Sequence, residues 1–297
     1  MQSPTMRCLT HSTAFLGCLL IGLLSSELSL AQQKSVPDNF KTENLVAWCI
    51  VPFDAKNRGP AQRAEMVRRL GLKRVAYDWR KKHIPEFEHE ILEYKKNGIE
   101  YFAFWGWHDS MKALIRKHDI KPQIWQMYRG KLTAGSDEEN VRLIAQQFLP
   151  VVEQARSLGL KFGIYNHGGW AGEPANMVAV CEYLRNEHRA DNVGIVYNFH
   201  HGHKDIADFE AKFKILQPYL FCLNLNGMVS PEELERSPQT SKIRSIGSGS
   251  HEAGMIRSIL KHNYDGPIGV LGHRAEMDAE KSLGLNVDGL RNLIEDL

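Results

Sequence analysis

Three apolar runs in the second half of the chain each end in asparagine, two of them with histidine beside it. They are 162–167 (FGIYNH), 193–201 (VGIVYNFHH) and 220–226 (LFCLNLN). Imidazole is the side chain best suited to move protons near neutral pH. Carboxamides offer donor and acceptor to hydroxyl groups, and tryptophan faces cover sugar C–H surfaces. The chemistry such a set supports is recognition of a polyhydroxylated ligand, with His167 and His201 as the catalytic candidates. Asn at a strand end is also an ordinary turn former. The repetition over three consecutive runs favours a site over three unrelated turns.

Residues of this kind need strands to aim them. Eight β-like runs are expected at 45–51, 73–78, 99–105, 121–127, 160–166, 193–198, 220–225 and 267–271. Between and after them lie helical patterns near 60–70, 85–97, 109–118, 137–158, 174–189, 205–216, 252–263 and 280–296. Ser136 followed by Asp137, Glu138 and Glu139 reads as a helix start, while Gly71, Gly98 and Gly159 fall just past helix ends. Strict alternation implies parallel strands joined by crossovers. A doubly wound open sheet is one solution. Eight units of about 30 residues match a single (β/α)8 barrel better, and no phosphate-type glycine loop follows the first strand.

In such a barrel the site lies at the C-terminal strand ends. The substrate-binding candidates there are Asp78, Trp105, Trp107, Asn166, Trp170, Asn198, Asn224, Asn226, His273, Arg274 and Glu276. Arg80 or Arg274 is available for a developing oxyanion. A Gly/Ser loop at 247–250 precedes His251 and Glu252. His188 and His203 are expected at the surface.

The 297 residues carry a formal net charge of +2 with no block of like charge, so a nucleic-acid partner is not expected. Arg7, the apolar run 14–24 and Ser29-Leu30-Ala31 read as a signal peptide, 1–31. That run is shorter than the ~20 residues a membrane span needs. The protein is therefore expected to be exported, to the periplasm or outside the cell, and free of the membrane after cleavage. Residues 32–43 read as a linker and 44–297 as the barrel. Cys49, Cys181 and Cys222 have no metal-ligand or disulfide spacing and read as buried thiols. Oligomeric state is not legible.

The later strands resemble those of the xylose isomerase-like TIM barrels, which include sugar isomerases, epimerases and dehydratases. The resemblance covers about 45–296. The run 162–167 looks like the family's apolar-Glu-Asn-His, 193–201 like Gly-apolar-Asp-x-x-His, 223–226 like His-apolar-Lys/Asn-Asp, and 264–271 like the closing Tyr-x-Gly-apolar strand. In many members Glu, Asp, His and Glu at these four places hold a divalent metal. Here the places read Tyr165, Asn198, Asn224 and Leu271. The resemblance thus implies a sugar pocket that keeps Asn166, His167 and His201 without the usual ligands. No cofactor is expected. A divalent metal stays open, with His167, His201, His273 and Glu276 as the set to hold it.

Three functions follow as expectations. The first is an enzyme acting on a sugar or keto-sugar by proton transfer α to a carbonyl, as isomerase, epimerase or lyase. The second is a non-catalytic carbohydrate-binding barrel that has lost its metal site. The third is a glycoside hydrolase, which needs two carboxyl groups across the pocket, with Asp54, Asp78, Glu173 and Glu276 to draw on. The partner in each case is a small carbohydrate.

Overall fold

The computed structural model describes residues 36–132, 135–236 and 242–297, so the expected signal peptide lies outside the described residues. Eight strands, β1 (Val46–Trp48), β2 (Arg74–Tyr77), β3 (Glu100–Trp105), β4 (Gln123–Gln126), β5 (Phe162–Tyr165), β6 (Val193–Asn198), β7 (Leu220–Leu225) and β8 (Ile268–Leu271), form a closed parallel barrel in sequence order. Closure is made by β1 beside β8, with Val46 against Gly269 and Trp48 against Leu271. That pairing excludes the open doubly wound sheet.

Helices α1 (Pro60–Arg69), α2 (Phe87–Lys96), α3 (Asp109–His118), α4 (Asp137–Ser157), α5 (Pro174–His188), α6 (Phe209–Leu216), α7 (Pro231–Arg236), α8 (Glu252–Lys261) and α9 (Ala279–Asp296) are the α-helices among the described residues. Their starts follow local chemistry. Pro60 opens α1, where its missing N–H costs nothing. The Glu139 N–H donates to Ser136 Oγ at 3.3 Å, and the Ser136 N–H donates back to the Glu139 carboxylate at 3.2 Å, a capping box at α4. Within the stretch expected as a linker, Asp38–Phe40 and Thr42–Asn44 wind into 3-10 turns and Phe40 is buried. Among the described residues no helix is long and apolar enough to cross a membrane.

Alternation along each strand separates two cores. Outward residues such as Ala47, Val75, Phe104, Ile164, Ile195 and Leu223 join the helices in one cluster. Inward residues Val46, Trp48, Ala76, Trp125, Tyr165, Val196, Cys222 and Leu271 fill the barrel. Trp48 packs at 5.5 Å from Trp105, 5.1 Å from Trp125 and 6.0 Å from Tyr165, ring centre to ring centre. The centre of the barrel is therefore an aromatic plug, and any ligand must sit above it.

Glycines make the plug fit. The absent side chain of Gly269 leaves the room that the Asn224 carboxamide occupies. Replacing Gly269 by alanine is expected to cost about 1 to 3 kcal/mol through overpacking. Thermal unfolding of that variant checks it, and an unchanged midpoint would mean that Asn224 moves freely. Cys49, Cys181 and Cys222 are buried thiols.

The most deeply buried ion pair among the described residues joins α1 to α2. Arg63 of α1 donates through Nη1 to Glu90 of α2 and through Nη2 to the Arg58 carbonyl. Arg63 is 2% exposed and Glu90 0%. The hydroxyls of Tyr77, Tyr94 and Tyr101 are buried as well, without a hydrogen-bond partner.

Candidate active site

The three Asn-ended strands do reach the C-terminal mouth, and there Asn166 and Asn198 do structural work. Asn166 donates its Nδ2 to the Asn198 carbonyl at 3.1 Å and accepts the Asn198 N–H at 2.7 Å. It is buried and ties β5 to β6. Asn198 donates to the Tyr165 hydroxyl and accepts the His200 N–H at 3.0 Å, which caps the 3-10 turn Phe199–His201. Asn224 and Asn226 are buried inside the barrel, each with one amide atom lacking a partner, Nδ2 and Oδ1 respectively. A carboxamide that faces neighbours from two strands becomes a clasp rather than a ligand contact.

The histidines they support do converge. The rings of His167 and His201 lie 4.3 Å apart, those of His201 and His200 4.3 Å, and those of His200 and His273 5.2 Å. Phe53 continues this row, its ring tilted against His273 at 3.8 Å between centres. The loops after β1, β5, β6 and β8 thus contribute to one imidazole band above the plug. His203, expected at the surface, is buried instead. Its Nδ1 donates to the Val229 carbonyl at 2.7 Å, and its Nε2 has no hydrogen-bond partner. His188 is half-exposed and packs on Tyr183.

Burial keeps these rings neutral. His200 falls to about 2, with His201 and His273 as the next contributors. His201 falls to about 3, with His167 and Lys242 next. His273 falls to about 4, with Arg80 next. Protonating one ring of the band puts a charge beside its neighbours in a partly dehydrated space. His167 is the most exposed of the four, and burial lowers its affinity for protons too.

Asp78 is buried beneath the mouth. One oxygen accepts the Val51 N–H at 3.2 Å and the other has no partner. Burial lifts its carboxyl to about 6, against the opposing Val51 N–H and the charges of Arg80 and Arg63. Beside it Cys49 holds left-handed backbone, with φ of 58°. Trp105 belongs to the plug, 4.6 Å from Tyr165. Trp107 faces outward and donates to Asp109 at 3.1 Å, so it is not brought to the site. Arg274 binds Glu276 and also the Ile243 carbonyl at 3.3 Å, and Glu276 points to solvent at 65% exposure. The expected set of His167, His201, His273 and Glu276 is therefore not assembled around one point.

A cavity of about 250 Å3 opens beside His167, lined by Tyr128, Leu132, Tyr165, His167 and Trp170. Trp170 is held there by an indole N–H to Asp137 at 2.8 Å. The volume suits one sugar ring better than a larger ligand. A groove of about 780 Å3 on the outer wall, between α6 and α8, is larger but carries none of the strand-end imidazoles. One neighbour of the band has no signal in the sequence: Phe53 sits in a loop where nothing in the local pattern marks it.

The four places that hold a metal in the resembling family do not fit one here. Tyr165 accepts hydrogen bonds from Trp48 Nε1 at 3.2 Å and from Asn198, and burial pushes its phenol up, so it stays neutral. Leu271 offers no donor, and Asn198 and Asn224 are engaged in the packing described above. A hard divalent cation wants anionic oxygens or several free neutral ones. Among the described residues no group of three or more His, Cys, Asp or Glu is arranged to hold a metal ion.

No protein-family model matches the sequence, and no curated protein matches it in sequence. Solved structures are similar in fold. The IolI protein with a bound zinc atom superposes at a TM-score of 0.65 with 13% identity, over 85% of this chain and 98% of that one. A xylose isomerase domain protein from Planctomyces limnophilus gives 0.57 with 10% identity, over 84% and 96%. The 3-keto-D-glucoside 4-epimerase of E. coli gives 0.60 with 13% identity, over 84% and 98%. At these identities the likeness is one of fold.

Proposed function

With a xylose isomerase-like barrel as its architecture, we propose that this chain is an exported enzyme acting on a sugar or keto-sugar. The reaction is proton transfer α to a carbonyl. The observation that carries this reading is the contact of His167 and His201, 4.3 Å between rings, beside a cavity of about 250 Å3 walled by Tyr128 and Trp170. The 3-keto-D-glucoside 4-epimerase among the structures of similar fold supports the substrate class.

The roles divide by environment. His167, the more exposed ring, takes the α proton. His201, held neutral by burial and by His167, donates its N–H to the carbonyl oxygen as charge develops. A neutral imidazole is a suitable electrophile at such an oxygen. The Trp170 face receives the sugar C–H surface. Protonation of the same carbon from the opposite face gives epimerisation, protonation of the neighbouring carbon gives isomerisation, and loss of a β-hydroxyl gives elimination.

The test is solvent deuterium exchange. Keto-sugars incubated with the protein in D2O should gain deuterium at the α carbon, read by proton NMR, with chelator present or absent. His167→Ala and His201→Ala should each slow exchange about a hundredfold. Exchange that is absent for every keto-sugar, or indifferent to both substitutions, would sink the enzymatic reading. Export is checked by sequencing the N-terminus of secreted protein, where cleavage after Ala31 is expected.

Replacement of all four ligand positions favours a second reading, a carbohydrate-binding barrel without turnover. Sugar binding with no exchange would be its signature. The glycoside hydrolase reading loses support from the carboxylates themselves. Asp54 is bound by Arg58, Glu173 by Lys204 and Glu276 by Arg274. Only Asp78 is left, and that reaction needs two.

A further inference from the structure

Tyr165 ends β5 and belongs both to the aromatic plug and to the wall of the cavity beside His167. Its hydroxyl receives two hydrogen bonds, one from Trp48 Nε1 at 3.2 Å and one from Asn198 Nδ2. Chemistry fixes the direction of both. An indole N–H can only donate. The Asn198 carboxamide is oriented from its other end, where Oδ1 accepts the His200 N–H at 3.0 Å, so the amino group is the end that meets the phenol. Trp48 is 2% exposed and Asn198 0%, so neither donor can turn to solvent instead.

A phenol oxygen accepts two hydrogen bonds and donates one. Both accepting places are taken here, and among the described residues the Tyr165 hydrogen has no acceptor. Burial keeps that hydrogen on the oxygen at neutral pH, against the opposing pull of the Asn198 and Trp48 bonds. An O–H whose oxygen is already bonded twice is polarised, which strengthens the bond it gives. An acceptor for it has to come from the cavity that Tyr165 lines.

The geometry points to Tyr165 as a second hydrogen-bond donor to the carbonyl oxygen of the ligand, acting beside the His201 N–H. This rests on the reading of the cavity as a keto-sugar site. The Tyr165 and His201 rings stand edge to face at 5.9 Å, and His201 lies 4.3 Å from His167. One base and two donors are thus supplied by the ends of β5 and β6 together. A developing enolate oxygen gains most from donors that are fixed before the reaction starts. Trp48 from β1 and Asn198 from β6 fix this one.

The probe is methyl 3-keto-D-glucoside carrying 13C at the carbonyl, which the sugar ring holds in place. Infrared difference spectra on the full chain should put the bound carbonyl band lower in the parent than in Tyr165→Phe, because an accepted hydrogen bond weakens C=O. Deuterium exchange into the same probe should slow about a hundredfold or more in Tyr165→Phe at saturation, with KM little changed. That variant strands two buried donors and lowers the unfolding midpoint whatever the role, so band and rate are read on folded protein. Replacement of Tyr165 by 3-fluorotyrosine keeps the hydroxyl and makes it a stronger donor, and should move the band below that of the parent. This second arm stands even if Tyr165→Phe does not fold. A band unmoved by these replacements while the probe binds overturns the inference, and exchange in the parent then leaves the keto-sugar reading standing. A band that moves as expected without exchange supports the donor and leaves a binding site without turnover. Failure of the probe to bind removes the inference.

Discussion

Replacing Glu90 by alanine is expected to cost about 3 to 5 kcal/mol of stability, because it strands the Arg63 charge inside the protein. Arg63 and Glu90 bridge α1 and α2 at 2% and 0% exposure. The phenols of Tyr77, Tyr94 and Tyr101 surround the pair without offering a second anion. Urea unfolding of the variant measures the loss. The double replacement Arg63→Met with Glu90→Leu should recover most of it, since removing both charges also removes the desolvation they require. A single variant within about 1 kcal/mol of the parent would mean that water reaches the guanidinium, contrary to its burial.

Acid should weaken the fold from just below pH 6.5. His200, His201 and His273 bind protons in the fold at about 2, 3 and 4, and in the unfolded chain near 6.5. The unfolded chain therefore holds more protons between those values. Stability is fully present above pH 6.5 and is lost as pH falls toward the folded values. Each ring contributes up to about 1.4 kcal/mol per pH unit, so at pH 5 the three together cost about 4 to 6 kcal/mol. Asp78 acts in the opposite direction. Its carboxyl is raised to about 6 from 3.8, so its protonation favours the fold as pH falls through that interval. That returns about 1 kcal/mol at pH 5 and leaves the net sign unchanged. Urea midpoints at pH 7 and pH 5 test this. His200→Gln should flatten the dependence, and a midpoint that is the same at both values in the parent would contradict neutral, buried imidazoles.

The architecture was readable because each element carries its own pattern. The run VGIVYN is apolar, β-branched and closed by polar residues, and β6 spans those residues, Val193–Asn198. The Ser136 cap and Glu139 mark the start of α4 without reference to the rest of the chain. Where tertiary contacts take over, the pattern misleads. The helix expected from 205 begins at Phe209, because Asp205 is pinned by the Tyr197 hydroxyl and by Lys212 while 203–205 winds as a 3-10 turn. The short α7, Pro231–Arg236, has too few residues to show a period.

At the site the division is sharper. His167 and His201 stand at strand ends, and strand ends follow from hydrophobic runs, so both were legible as neighbours at the mouth, where their rings lie 4.3 Å apart. Asn166 and Asn198 were legible as polar residues at the mouth, but not as clasps between strands. Whether Asn166 faces a ligand or the Asn198 backbone depends on how β5 pairs with β6, and no stretch of sequence contains that pairing. The neutrality of the imidazole band is likewise a sum over residues far apart in the chain. Periodicity and capping are local, and the sequence alone determined the barrel and the strand ends at which the histidines gather. Burial, pairing and field are properties of the closed barrel, and only the tertiary structure decided which polar residues hold the frame and which are left open at the mouth.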